Sequence, residues 1–313
     1  MDVRRLGSSG IVVSILSLGS WRSFERISRD EGLAVMRAAR DAGIDFLDDA
    51  RYDDETGCAP IPTGYSEVVF GELFRGAGWV RDEVTVANKL WWEHWPEEDA
   101  VAELDGSLGR MGLDHVDVIY AMPPPVSTPV ETVVEQVVAL ISSGRARAWG
   151  TGMWTGRDLA AALDVCDATG APYPAAAQMA CSLADRLQSA DPSILAALDR
   201  GHIGLVAAHV LAGGTLTGKY LEPGAAGRAA DDESPLAVRA RQIAGPLRRL
   251  AARWGVPPAH LALAHALGHP NLASVLMGAT RPEQLAENVA ALDTWAALDA
   301  GRRAEVDALA DAP

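Results

Sequence analysis

A closed (β/α)8 barrel is the fold this sequence predicts, on three observations. Short apolar, β-rich runs alternate with amphipathic helical stretches along the chain, the pattern of a parallel sheet buried on both faces. Eight such units fit into 313 residues, ample for one large barrel and short for two ordinary domains, so residues 1–313 are expected to form one domain. No glycine fingerprint follows Leu18 or Asp48, which argues against the open doubly wound sheet, the alternative for this alternation.

The first run, Ile11 to Leu18, follows Arg4 and Arg5 and is interrupted by Ser14 and Ser17. With no small-residue cleavage site after it, it is expected to be a buried strand rather than a leader. Next come Ile44 to Asp48, Val84 to Asn88, Val116 to Tyr120, Ala146 to Thr151, Ala175 to Met179, Ile203 to Ala208 and Ala273 to Met277. Between them, Val101, Leu104, Leu108 and Met111, and later Leu285, Val289 and Leu292, recur at helical spacing. Gly213 to Lys219 comes close to a P-loop, but Tyr220 stands where a magnesium-binding hydroxyl belongs. Leu221 to Pro235 is expected to be a mobile loop, either a lid or a linker.

A net charge of −15, with no basic run longer than a pair, argues against nucleic-acid and anionic-membrane surfaces and points to small-molecule partners. No apolar run approaches the roughly 20 residues that span a bilayer. Three widely spaced cysteines, Cys58, Cys166 and Cys181, show no metal-ligand pattern and fit a reduced, cytoplasmic setting. Only two of the 27 basic residues are lysine, Lys89 and Lys219; an ammonium that can lend its proton does what guanidinium cannot.

In a barrel the chemistry belongs at the C-terminal ends of the strands. There the second strand runs into Asp48-Asp49-Ala50-Arg51-Tyr52-Asp53 and the third into Asn88-Lys89-Leu90-Trp91-Trp92. An ammonium beside a phenol favours the ionised form, so Lys89 is expected to lower the tyrosine pKa while Asp48 holds Lys89 charged. The other reading is a buried ion pair joining two strand ends.

These residues fall inside a wider pattern. Arg5-Leu6-Gly7-Ser8-Ser9-Gly10, Leu18-Gly19-Ser20-Trp21, Asp41-Ala42-Gly43-Ile44-Asp45-Phe46-Leu47-Asp48 and Gly64-Tyr65-Ser66-Glu67 open it. Ala87-Asn88-Lys89-Leu90-Trp91, Leu211-Ala212-Gly213-Gly214, Thr217-Gly218-Lys219-Tyr220 and Gly278-Ala279-Thr280-Arg281-Pro282-Glu283-Gln284 continue it. In these strings the chain resembles the aldo-keto reductase superfamily, and at the cofactor site its long-chain reductases and potassium-channel β subunits. The resemblance implies a (β/α)8 TIM barrel with an N-terminal β-hairpin that binds NADP(H) without a Rossmann loop. It implies that Asp48, Tyr52 and Lys89 are catalytic, with Tyr52 four residues after the aspartate rather than the family's five and Tyr65 the alternative. It places Trp21, Trp91, Trp92, His94 and Met122 at the substrate pocket, and Ser20, Gln178, Leu211, Gly213, Lys219, Gly278, Thr280, Arg281, Gln284, Glu287 and Asn288 at the cofactor.

The chain also departs from the family. Met122 stands where a histidine usually ends the fourth strand, and a thioether donates no hydrogen bond. Gly152 and Met153 take the place of the serine-asparagine pair that holds the nicotinamide amide, Cys181 that of the stacking tyrosine, and His209 that of a serine. Three readings follow: an NADP(H)-dependent oxidoreductase acting on a bulky carbonyl or alcohol, a non-redox lyase or isomerase using the same acid-base residues, and a non-catalytic NADP-sensing protein.

Overall fold

The computed structural model describes every residue except 223, 226, 228, 312 and 313. The chain opens with a two-stranded antiparallel hairpin, β1 (Val3–Arg5) and β2 (Val12–Ser14). The barrel follows as β3 (Leu16–Gly19), α1 (Arg29–Asp41), β4 (Phe46–Asp48), α2 (Tyr65–Gly76), β5 (Thr85–Leu90), α3 (Ala100–Met111), β6 (Val116–Ala121) and α4 (Val130–Ser142). It is completed by β7 (Ala146–Gly152), α5 (Gly156–Thr169), β8 (Ala176–Ala180), α6 (Pro192–Gly201), β9 (Gly204–Ala208), α7 (Pro235–Trp254), α8 (Pro258–Leu267), β10 (Leu272–Met277), α9 (Pro282–Ala297) and α10 (Ala300–Asp307). β3 to β10 run parallel and close, β10 pairing with both β9 and β3. This is the (β/α)8 barrel with N-terminal hairpin that the sequence predicts.

The single strand expected over Ile11–Leu18 is in fact two, split at Ile15. Polar chemistry at Ser14 makes the break: its hydroxyl donates to Leu16 O (2.6 Å) and accepts Asp45 N–H (3.0 Å), while its own N–H goes to the Asp45 carboxylate (2.7 Å). Leu6, Ile11 and Val13 therefore belong to the hairpin that closes the N-terminal end of the barrel, packed with Phe46, Val118, Tyr120 and Val206 inside it. The outer faces of the strands meet the helices in a larger cluster around Leu47, Val86, Ile119, Trp149 and Leu205.

The stretch after β9 is where the chain departs from eight simple repeats. The 3-10 turns Ala212–Thr217 and Lys219–Leu221 come first, and α7 begins at Pro235. Of the loop expected over Leu221–Pro235, residues 223, 226 and 228 lie outside the described residues. A second apolar cluster joins Leu216 to Ile243 and Leu247 of α7, Leu261 of α8, Leu298, and Val306 of α10. Burial of one such side chain contributes about 1.5–3 kcal/mol, so Leu216 anchors the glycine-rich segment 212–217 against the body of the molecule.

Six non-glycine residues among those described take left-handed backbone conformations; His202 (φ 49°) caps α6 and Ala212 (φ 46°) opens the segment after His209, while the other four each follow the C-terminal end of an alternate barrel strand. These four are Arg22 after β3 (φ 55°), Trp92 after β5 (φ 61°), Met153 after β7 (φ 57°) and His209 after β9 (φ 57°). Each such residue costs about 1–3 kcal/mol and persists where surrounding contacts over-determine it. The strain marks this rim as the functional face.

Candidate active site

β4 and β5 pair in parallel with Asp48 beside Ala87, which brings the carboxylate at the end of one strand to the lysine near the end of the next. β5 runs two residues further than predicted, so Lys89 is a strand residue with a fixed direction. Its ammonium lies 2.5 Å from Asp48 Oδ1 and donates to the Tyr52 hydroxyl at 3.2 Å. The second Asp48 oxygen accepts from Gln178 Nε2 at 2.8 Å. Both carboxylate oxygens are thus engaged, and Lys89, only 5% exposed, is aimed at the phenol.

The loop that presents Tyr52 is held by α2. Ser66 Oγ donates to Ala50 O (2.7 Å) and accepts Tyr52 N–H (3.4 Å), and Gly64 N–H donates to Tyr52 O (2.8 Å). Between these points residues 53–63 form an excursion closed at its base, with Asp53 bridged to Thr63. The excursion returns the chain to α2 without disturbing Tyr52. Tyr65 lies elsewhere: its hydroxyl accepts from the Arg29 guanidinium at 3.0 Å, in contact with α1. Of the two tyrosines weighed from sequence, Tyr52 is the one brought to Lys89.

The tyrosine pKa moves opposite to the expectation. Burial of the Tyr52 hydroxyl, in a residue only partly open to solvent, raises it well above its ordinary value, and the charges of Asp48, then Asp49, Glu67 and Glu25, raise it further. One ammonium already committed to a carboxylate does not offset four negative groups. The phenol is held in its neutral form.

Asp49 is a residue that sequence reasoning passed over. Fully buried, it accepts from Ser20 Oγ through one oxygen, while the other has no hydrogen-bond partner among the described residues. Burial raises its pKa well above the ordinary carboxyl range, with the nearby Glu67 charge adding to the effect. Glu67 is itself satisfied by Asn88 Nδ2 (2.9 Å) and Arg110 Nε (2.5 Å). Glu103 of α3 is a second missed residue. Its carboxylate accepts the backbone N–H groups of Trp91 (2.6 Å) and Trp92 (3.1 Å), clamping the loop after β5. The three- and four-residue spacing of its neighbours pointed only to packing.

Of the expected pocket residues, Trp91 packs edge-on to Tyr52, ring centroids 6.1 Å apart, and Trp21 packs edge-on to His209 at 5.2 Å. Trp92 is instead buried against Trp95, its indole N–H donating to Met122 O (2.8 Å), so it supports the wall from behind. His94 is exposed, with its carbonyl accepting Glu98 N–H. Cys181 is buried, and that burial pushes its thiol up to about 11, so it is neither a stacking platform nor a reactive thiolate.

The expected cofactor residues extend along the rim beyond Gln178. Gln178 has one amide N–H committed to Asp48 and Ser20 has its hydroxyl committed to Asp49. Leu211 precedes a segment in which Gly213 (φ 66°) and Gly214 (φ 91°) are left-handed, a backbone glycine adopts at little cost. The Thr215 hydroxyl there is buried without a hydrogen-bond partner among the described residues, and Lys219 Nζ approaches Gly214. A buried orphan hydroxyl, turned peptide groups and an ammonium are the chemistry that receives a phosphate. Gly278, Thr280 and Arg281 lead into α9, where Gln284 accepts both Thr280 N–H (2.9 Å) and its hydroxyl (3.1 Å). Arg281 and Glu287 are exposed beside this turn and Asn288 is buried under it. A dinucleotide bound along this rim would meet residues 213–219 with its phosphates and residues 278–288 with its adenosine. A separate cavity of about 450 Å³, lined by Arg5, Asp199, His202 and Asn271, opens at the opposite, N-terminal end of the strands, away from this constellation.

Comparison with known proteins agrees with this fold. Residues 15–311 match the model of the aldo/keto reductase family. A probable voltage-gated potassium channel subunit beta from Oryza sativa subsp. japonica is 34% identical over 310 residues, covering 94% of this chain and 92% of the relative. A protein of the same description from Arabidopsis thaliana is 31% identical over the same shares.

Proposed function

The chain belongs to the aldo/keto reductase family, and from that premise we propose that it is an NADP(H)-dependent reductase of carbonyl compounds with Tyr52 as the proton donor. The observation that carries this reading is Lys89 Nζ placed between Asp48 Oδ1 and the Tyr52 hydroxyl, beside a phenol kept neutral by its surroundings. NADPH, when bound, supplies the hydride. Tyr52 hydrogen-bonds the carbonyl oxygen and gives it a proton as negative charge develops there. Lys89 orients the phenol and stabilises the phenolate left behind, and Asp48, fixed by Gln178, orients Lys89. Trp91 and Trp21 supply apolar walls. Arg281 can offer a bidentate contact to a 2′-phosphate, which favours NADP over NAD.

The direction of the pKa shift favours reduction over alcohol oxidation, because oxidation would need Tyr52 as a base. The test is NADPH consumption at 340 nm over a carbonyl panel, for the wild type, Tyr52→Phe and Tyr65→Phe. Tyr52→Phe should lose about 10²–10⁴-fold in kcat/KM, and Tyr65→Phe should stay within about threefold. Equal losses would remove Tyr52 from the proposed role.

A second reading rests on Met122, which leaves the carbonyl oxygen without a second donor, a loss worth about 10²–10³-fold in rate. With relatives described as channel β subunits, it makes the chain a slow or non-turning NADP(H) sensor. Tight NADPH binding with no turnover on any carbonyl would favour it.

A further inference from the structure

β6 and β7 pair with Tyr120 opposite Gly150 and Ala121 opposite Thr151, so Met122 faces Gly152 one step further. Alternation along β6 turns Tyr120 into the barrel, where it lies in the interior cluster, and gives Met122 the same inward direction one layer nearer the rim. The facing positions of β7 carry no side chains at all. A Cβ at Gly150 would stand 2.9 Å from the Tyr120 ring and 2.6 Å from Ala176 O. One at Gly152 would overlap Met122 Sδ and stand 3.3 Å from its methyl. Two large side chains of β6 thus lie across two glycines of β7. The Met122 backbone is pinned on both sides, its N–H donating to Leu90 O (3.0 Å) and its carbonyl accepting the Trp92 indole. Below it the Tyr120 ring lies 6.0 Å from Lys89 Nζ. Met122 is half-buried.

We propose that Met122 is a specificity-determining residue: its thioether, seated over Gly152, gives the reacting centre an apolar wall that selects carbonyl substrates bearing an aryl or branched-alkyl group on that side. This rests on the reductase reading. A thioether is polarisable and apolar and donates nothing to a hydroxyl or carboxylate. Gly152 follows from Met122, because any larger residue there would displace the sulfur.

The test has two arms. In the first, kcat/KM is compared for 4-methylbenzaldehyde and 4-carboxybenzaldehyde in the wild type and in Met122→Gln, close in volume and polar. The wild type should favour the methyl compound by about tenfold or more, and Met122→Gln should shrink that ratio by a similar factor. An unchanged ratio overturns the proposal. The second arm reads Tm and NADPH affinity: Gly152→Ala should lower Tm by about 2–6 °C when Met122 is present and by much less in Met122→Ala. Equal losses in both backgrounds overturn the seating of Met122 on Gly152. No turnover by the wild type on either aldehyde, with the Tm coupling intact, sinks the reductase reading and the substrate claim with it. Turnover with an unchanged ratio sinks only the claim for Met122.

Discussion

Tyr52 has one ammonium at 3.2 Å, but carboxylates on β4, α2 and the loop after β3 outweigh it. The sign of the pH dependence follows. Reduction uses the neutral phenol, and a raised pKa extends the range over which that form is present. The alkaline side of the kcat/KM profile should therefore stay flat to about pH 10, the ordinary tyrosine value, and fall only beyond it. A limb between about pH 7 and 9 would instead report a phenol lowered by Lys89. Asp49 extends the same logic to stability. Its folded pKa lies above its unfolded one, so the native chain holds more protons between the two values, and stability falls as pH rises through that window. The slope is at most about 1.4 kcal/mol per pH unit. Asp49→Asn cannot ionise, so its Tm advantage over the wild type should grow from pH 5 to pH 8, and a pH-independent offset would contradict the assignment.

The functional loops are gripped by the helices that follow them, and each grip is one side chain. Ser66 at the start of α2 holds the Tyr52 loop, and Glu103 in the first turn of α3 holds the backbone of Trp91 and of the left-handed Trp92. Removing Glu103 leaves two loop N–H groups without their partner in a strained segment, at about 1–3 kcal/mol. Glu103→Ala should thus destabilise the fold by about that amount and disturb the wall beside Tyr52, raising KM more than it lowers kcat. Chemical denaturation and steady-state kinetics on one variant check both; an unchanged KM would detach α3 from the pocket. Helix periodicity made α3 legible, but not this contact. A glutamate four residues beyond an N-cap aspartate looks the same in sequence whether it points to water or back at a loop.

At the scale of the molecule, the barrel was legible because eight apolar runs with short spacings admit few other topologies, and Asp48 and Lys89 were legible because strand ends converge at one rim. What was not legible depended on distances between residues far apart in sequence. The first strand breaks at Ser14 because Asp45 on another element competes for its backbone. Tyr52 is chosen over Tyr65 because Arg29 occupies the latter. Trp92 leaves the pocket where its backbone turns left-handed, and the phenol pKa reverses because burial, then the charges of Asp48, Asp49, Glu67 and Glu25, raise it. Gly152 reads in sequence as a lost polar contact, whereas in the barrel it is the space that Met122 fills.

Hydride transfer itself is the most direct measurement. With NADPH carrying deuterium at the transferred C4 position and a reducible aldehyde, the alcohol product should carry one deuterium on the carbinol carbon. Lys89→Met should abolish that label at unchanged protein concentration, NADPH affinity staying within a few-fold. A product of unchanged oxidation state, or label incorporation that survives Lys89→Met, would contradict the assignment of Asp48, Tyr52 and Lys89 as the machinery of a carbonyl reductase.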